Sequence, residues 1–190
     1  MERRLDISGY ILAGGKSSRM GTDKALLMIQ HEPLLKRMIS LIEPFCQSVK
    51  ISGESSGYND FNVEIIPDLF LDCGPISGLY SSLCHSSSDW NLLVSVDVPF
   101  VNDELFRYLI LNIGGFDCII PEHTGGIEPL VGLYHKRALP VLKEMISRGD
   151  YKLMNLLRKL NTRLVDCNSL TQKYPRLFMN INRIEDYQSI

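Results

Sequence analysis

Apolar runs alternate with amphipathic stretches along most of this chain. The runs at residues 7–12, 48–52, 63–66, 91–96, 117–120, 129–134 and 163–166 predict strands. Several are apolar at successive positions, which suits strands covered on both faces. The amphipathic stretches 33–43, 76–85, 103–112, 136–148 and 151–160 predict helices. Pro33 fits the first turn of the first helix, and Asn102 or Asp103 can cap the third. Alternation of strand and helix implies an α/β chain. The expected architecture is a three-layer α/β/α sandwich with a Rossmann-like, mostly parallel sheet. Ligands of such sheets bind beyond the carboxyl ends of the strands. The segment after Leu12 and the one around Asp97 both leave strands at that end.

The punctuation between elements is short. Residues 53–60 read as the most loop-like stretch, and Gly114-Gly115 and Gly125-Gly126 mark two further turns. Without a repeat, linker or low-complexity tract, residues 1–190 read as a single domain.

The loop after the first strand changes the picture from fold to chemistry. Leu12-Ala13-Gly14-Gly15-Lys16-Ser17-Ser18-Arg19-Met20-Gly21-Thr22-Asp23-Lys24 holds three glycines and three cations. Glycines let backbone N–H groups approach phosphate oxygens, and the cations neutralise them. A nucleotide polyphosphate is the implied ligand. Gly15-Lys16-Ser17 imitates the end of a Walker A loop, but Tyr10 stands where that loop needs its first glycine. Adjacent Gly14 and Gly15 also break the dinucleotide fingerprint. Lys24 supplies a compact point charge. The planar fork of Arg19 suits bidentate contact with the β- and γ-phosphates. Lys16 is either a phosphate ligand or a solvated side chain.

Asp97 ends the run Leu92-Leu93-Val94-Ser95-Val96. A carboxylate there suits Mg²⁺, and it equally suits a turn cap for Asn102-Asp103. Asp68 and Asp72 follow the third strand and precede the turn Gly74-Pro75, with Asp72 a competitor for any ligand role of Asp68. The histidines at 31, 85, 123 and 135 show no ligand spacing, and His123 falls near the C-terminal motifs.

The pattern L-A-G-G-x-S-x-R-M-G-x-x-K resembles the opening of the MobA-like nucleotidyltransferases, the molybdenum cofactor guanylyltransferase family. The resemblance continues through Asp68 with Gly74-Pro75-Ile76-Ser77-Gly78, then Val96-Asp97-Val98-Pro99, Glu128-Pro129-Leu130 and Asn180-Ile181-Asn182. It implies the nucleotide-diphospho-sugar transferase type of fold. It also implies transfer of GMP from GTP to the terminal phosphate of molybdopterin, with pyrophosphate leaving. By this resemblance Arg19, Lys24 and Asp97 are catalytic, and Asp97 holds Mg²⁺. GTP is bound by Leu12, Ala13, Gly14, Gly15, Lys24, Gly53, Asp68 and Asp97. The acceptor is bound by Glu128, Asn180 and Asn182. A carboxylate at 68 can accept from guanine N1–H and N2–H₂, and it can equally lie nearer the ribose. Asn180 and Asn182 alternate on an extended segment and so face one side. A turn into a last helix capped by Asn182 is the other reading of that segment. The family pattern has an asparagine after the second strand, and this chain has Gly53 there. A cytidylyltransferase of the same fold therefore stays open, as do another nucleotidyltransferase of that fold and a non-catalytic nucleotide-binding module.

Composition adds exclusions. A formal net charge of −2 gives no footprint for nucleic acid. Five scattered cysteines without a C-x-x-C pair read as reduced thiols packed as small hydrophobes. Glu2, Arg3, Arg4 and Asp6 do not make a signal peptide, and no apolar stretch is long enough to span a bilayer. The expectation is a cytoplasmic enzyme without membrane contact, meeting cofactor-biosynthesis or acceptor proteins transiently.

Overall fold

A computed structural model describes residues 6–14, 23–29, 31–53 and 56–181. In chain order the main elements are β1 (Ile7–Leu12), α1 (Leu34–Ile42), β2 (Ser48–Ser52), β3 (Glu64–Ile66), α2 (Pro75–His85) and β4 (Trp90–Ser95). There follow α3 (Asp103–Ile110), β5 (Cys118–His123), β6 (Gly126–Ile127), β7 (Val131–His135), α4 (Leu139–Ser147), α5 (Leu153–Lys159), β8 (Thr162–Asp166) and α6 (Asn168–Lys173).

The main sheet runs β8-β5-β7-β4-β1-β2-β3, with β6 paired to β5. Along this path β7 alone is reversed, pairing antiparallel with β4 and with β5. The expected α/β/α layering holds. Side chains of β1 alternate between two cores. Ile7 and Ile11 meet Leu35, Met38 and Ile42 of α1 and Leu105, Phe106 and Leu109 of α3. Tyr10 and Leu12 meet Ile76, Leu79 and Leu83 of α2 and the apolar stripes of α4 and α5. Every residue of β1 and of β4 is buried, as continuous apolar runs require of central strands.

Two of the expected strands match their bounds, β1 and β2. Others move at their polar ends. β5 runs on to His123 because Glu122 and His123 pair with Ile127 and Gly126, so the second Gly-Gly turn is the tip of a hairpin. The stretch 136–148 opens as a 3-10 turn, Lys136–Ala138, before α4, and α6 is an element the apolar pattern does not signal. Asn102 caps α3, its Oδ1 accepting from Leu105 N at 3.0 Å. All five cysteines are free thiols. Among the described residues no helix is long and apolar enough to cross a membrane.

Candidate active site

Register sets the site. Leu12 pairs with Ser52 and with Ser95, and Ser52 pairs with Ile66. Four parallel strands therefore end on one line, and the segments leaving them wall a cavity of about 590 Å³. Ala13, Gly14, Gly53, Asp68 and Asp97 all line it, as the sequence reading expects. Gly15, Lys16, Arg19 and Asn182 lie outside the described residues.

The first wall is backbone. Ala13 N and Gly14 N both donate to Ser52 O, at 2.9 and 3.2 Å, and Gly53 N donates to Ile66 O at 3.0 Å. Gly53 has φ +147°, and a Cβ there would sit 2.8 Å from Gly14 N. The absent amide at position 53 is thus no simple loss, because this geometry admits no side chain. The polar side chain at this strand end is Ser52. Its hydroxyl lies 3.4 Å from both Asp68 Oδ1 and Gly78 O and donates toward them.

The second wall is the segment carrying Asp68 and Asp72. Two serines one helical turn apart on α2 hold it. Ser81 Oγ accepts from Leu69 N at 2.9 Å, and Ser77 Oγ donates to Phe70 O at 2.7 Å. Gly78 lets α2 approach the strand ends, since a Cβ there would lie 3.0 Å from both Leu12 Cδ2 and Ser52 Oγ. This explains Gly74-Pro75-Ile76-Ser77-Gly78 physically. Gly74 enters the helix at φ +69°, Pro75 opens it, Ser77 pins the loop and Gly78 clears the approach.

Asp97 forms the third wall. Its N–H donates to Ser95 Oγ at 3.2 Å, and its carbonyl accepts from Ile181 N at 2.8 Å. Arg37 Nε donates to Pro99 O at 3.3 Å, steadying the turn that follows. The Asp97 carboxylate meets Lys24 Nζ at 3.2 Å, with side-chain exposures of 33% and 18%. Such a half-solvated pair contributes about 1 kcal/mol or less and exchanges partners readily. Among the described residues no cluster of three metal-binding side chains exists. The Asp97 carboxylate is an oxygen donor of the kind Mg²⁺ takes, singly or in pairs, with phosphate oxygens and water completing the shell.

The acceptor candidates gather beside this wall, away from the cavity lining. Glu128 Oε1 lies 3.2 Å from His123 Nε2, and His123 Nδ1 accepts from Gly125 N at 3.1 Å. With Nδ1 engaged as acceptor, Nε2 carries the proton and donates to Glu128. The His123 ring stacks on Phe178, centroids 4.7 Å apart. Phe178 O accepts from the Asn180 amide at 3.4 Å. Glu128, His123, Phe178 and Asn180 thus form one string, tied to Asp97 through Ile181. Asn180 is exposed and belongs to no helix or strand, and its expected alternation with Asn182 lies outside the described residues.

Sequence reasoning misses Ser52, Ser95 and Tyr58, all of which line the cavity. The serines are signalled only by standing last on their strands. Nothing local signals Tyr58.

The sequence model of the MobA-like NTP transferase domain matches residues 9–164. The chain is 38% identical over 157 residues to a Flavobacterium johnsoniae protein named "Probable molybdenum cofactor guanylyltransferase", across 81% of this chain and 82% of that one. It is 34% identical over 184 residues to the molybdenum cofactor guanylyltransferase of Vibrio campbellii, across 94% and 92%. Among solved structures it resembles molybdopterin-guanine dinucleotide biosynthesis protein A from Archaeoglobus fulgidus. The TM-score is 0.80 at 25% identity, over 96% of this chain and 95% of that one. With the strand-end cavity and its Lys24–Asp97 pair, these likenesses show that the chain belongs to the MobA-like NTP transferase family.

Proposed function

We propose that the protein transfers GMP from GTP to the terminal phosphate of molybdopterin, releasing pyrophosphate and forming the guanine dinucleotide cofactor, and that it depends on Mg²⁺. The observation that carries this reading is the placement of Asp68 and Asp97 on one cavity, with Lys24 held on Asp97.

Each residue has a task its chemistry allows. Asp68 accepts from the N1–H and N2–H₂ edge of guanine. Lys24 leaves its pair with Asp97 and neutralises charge on the phosphates. Asp97 holds Mg²⁺, which when bound neutralises phosphate charge and polarises the α-phosphate. The attacking group is a phosphate monoester, already largely ionised near neutral pH. It needs no strong general base, so positioning and charge stabilisation are the protein's whole contribution. Glu128 and Asn180 offer an acceptor and an amide to the pterin side, and the His123 proton keeps Glu128 oriented.

A thermal-shift screen across GTP, CTP, ATP and UTP tests the base. GTP is expected to raise Tm the most, and stabilisation by CTP but not GTP would replace the guanylyl assignment with a cytidylyl one. Pyrophosphate release with GTP, Mg²⁺ and molybdopterin tests the reaction, and binding without release would mean a non-catalytic module. The acceptor side has its own test. Glu128→Gln and Asn180→Ala are each expected to raise KM for molybdopterin about fivefold, the cost of one hydrogen bond, and to leave KM for GTP unchanged.

A further inference from the structure

Tyr58 lies on the 3-10 turn Ser56–Phe61 that follows β2, 1% exposed, and belongs to the same hydrophobic core as Ile7, Ile11 and the apolar face of α1. Its hydroxyl reaches the cavity wall, where its one proton is shared between two acceptors. One is Ala13 O at 2.9 Å, the other Asp23 Oδ1 at 3.1 Å. Burial, and then the Asp23 carboxylate beside it, push the phenol well above its usual range, so it keeps its proton at any working pH. Ala13 is the exit from β1. Asp23 is the cap of the turn Lys24–Leu26, because the same Oδ1 accepts from Ala25 N at 3.0 Å. Lys24 is the first residue of that turn and ends 3.2 Å from Asp97. A continuous path of contacts therefore runs from the Tyr58 hydroxyl through Asp23 to the turn that aims Lys24.

We propose that Tyr58 is a positioning residue for nucleotide binding: its hydroxyl ties the backbone at Ala13 to the Asp23 cap and so fixes where Lys24 presents its charge. The inference rests on the proposed function only in taking a nucleoside triphosphate as the ligand, and it is indifferent to the base. A core tyrosine serving packing alone would need its ring and not its hydroxyl. Here the hydroxyl is the group aimed at the cavity, and both its partners lie on segments that wall it.

Four proteins separate positioning from packing: wild type, Tyr58→Phe, Lys24→Ala and the double variant. Phenylalanine keeps the ring, so Tyr58→Phe is expected to fold with Tm lowered by only a few degrees. Affinities for GTP, CTP and inorganic pyrophosphate are measured by titration calorimetry. Tyr58→Phe is expected to weaken all three about tenfold, the scale of one lost contact to a charged group. In the Lys24→Ala background the same change is expected to move them less than about twofold, because the path then ends on nothing. Equal affinities for wild type and Tyr58→Phe would overturn the proposal. So would full additivity with Lys24→Ala, which would make Tyr58 a packing residue, and so would a loss confined to one base. Failure of the guanylyl reading shows separately, as wild type preferring CTP, and leaves the four-protein comparison intact. Binding of none of the three probes to wild type would overturn both.

Discussion

Asp97→Ala is expected to lower pyrophosphate release about a thousandfold while the protein still folds. A preorganised group facing developing charge contributes about 10²–10³ in rate when removed alone, and Asp97 is asked to do more than one such group. In the proposed reaction it holds the metal, and in the structure it holds Lys24. The fold is spared because the structural bonds at this position belong to the main chain. Ile181 N still donates to the residue-97 carbonyl, and Val98 N still donates to Ser95 O. The side chain's ion pair with Lys24 is half-solvated and contributes about 1 kcal/mol or less. Asp97→Asn sharpens the reading. It keeps the shape and an acceptor oxygen but not the charge, so its turnover is expected to stay near that of Asp97→Ala. Steady-state pyrophosphate release and a melting curve on the same samples check both statements. Turnover at the wild-type rate in either variant would remove the metal role, and Lys24 would then become the main charge at the α-phosphate.

How far the site is legible in the sequence depends on the range of the interactions. β1 and β2 are read to the residue from local signals: β1 is buried throughout and largely apolar, while β2, Ser48-Val49-Lys50-Ile51-Ser52, alternates polar and apolar positions. Lys24 and Asp97 are legible because glycines, cations and a strand-end carboxylate have few other uses together. Their meeting at 3.2 Å, 73 residues apart, follows from β1 and β4 being neighbours, which the sequence implies only through the fold class. Tyr58 is not legible. An aromatic residue in a polar loop reads the same whether its hydroxyl faces solvent or holds two segments of a site. The His123–Glu128 pair is hidden differently. Five positions apart, the two come together only because residues 122–127 fold as a hairpin, and two adjacent glycines announce the turn without the strand that follows it. Likewise α6 is short and largely polar, and it takes its place from docking Leu170 into the core.

Gly53→Ala is expected to lower stability by about 3 kcal/mol, the sum of backbone strain and overpacking. For a domain of this size that is a fall in Tm of roughly 6–12 °C. Two independent costs add. At φ +147° an L-residue is strained, and the new Cβ would lie 2.8 Å from Gly14 N and 3.1 Å from Ala13 C. Those contacts are with backbone, which cannot rotate away as a side chain would. Ala13 and Gly14 are themselves fixed to Ser52 O, so relief must shift the exit from β1. The variant's nucleotide affinity is therefore expected to fall along with its Tm. Gly53→Asn discriminates further. If base selection suffered from a missing amide, restoring the family's asparagine would improve discrimination of GTP from CTP. The geometry predicts the reverse: Gly53→Asn destabilises at least as much as Gly53→Ala and gains no selectivity. Ser52→Ala is the complementary variant. It removes the hydroxyl 3.4 Å from Asp68 and leaves the backbone wall untouched, so Tm is expected to change little while discrimination between GTP and CTP narrows. Melting curves and paired GTP and CTP titrations of the three variants check this. A gain of selectivity in Gly53→Asn would return base recognition to position 53.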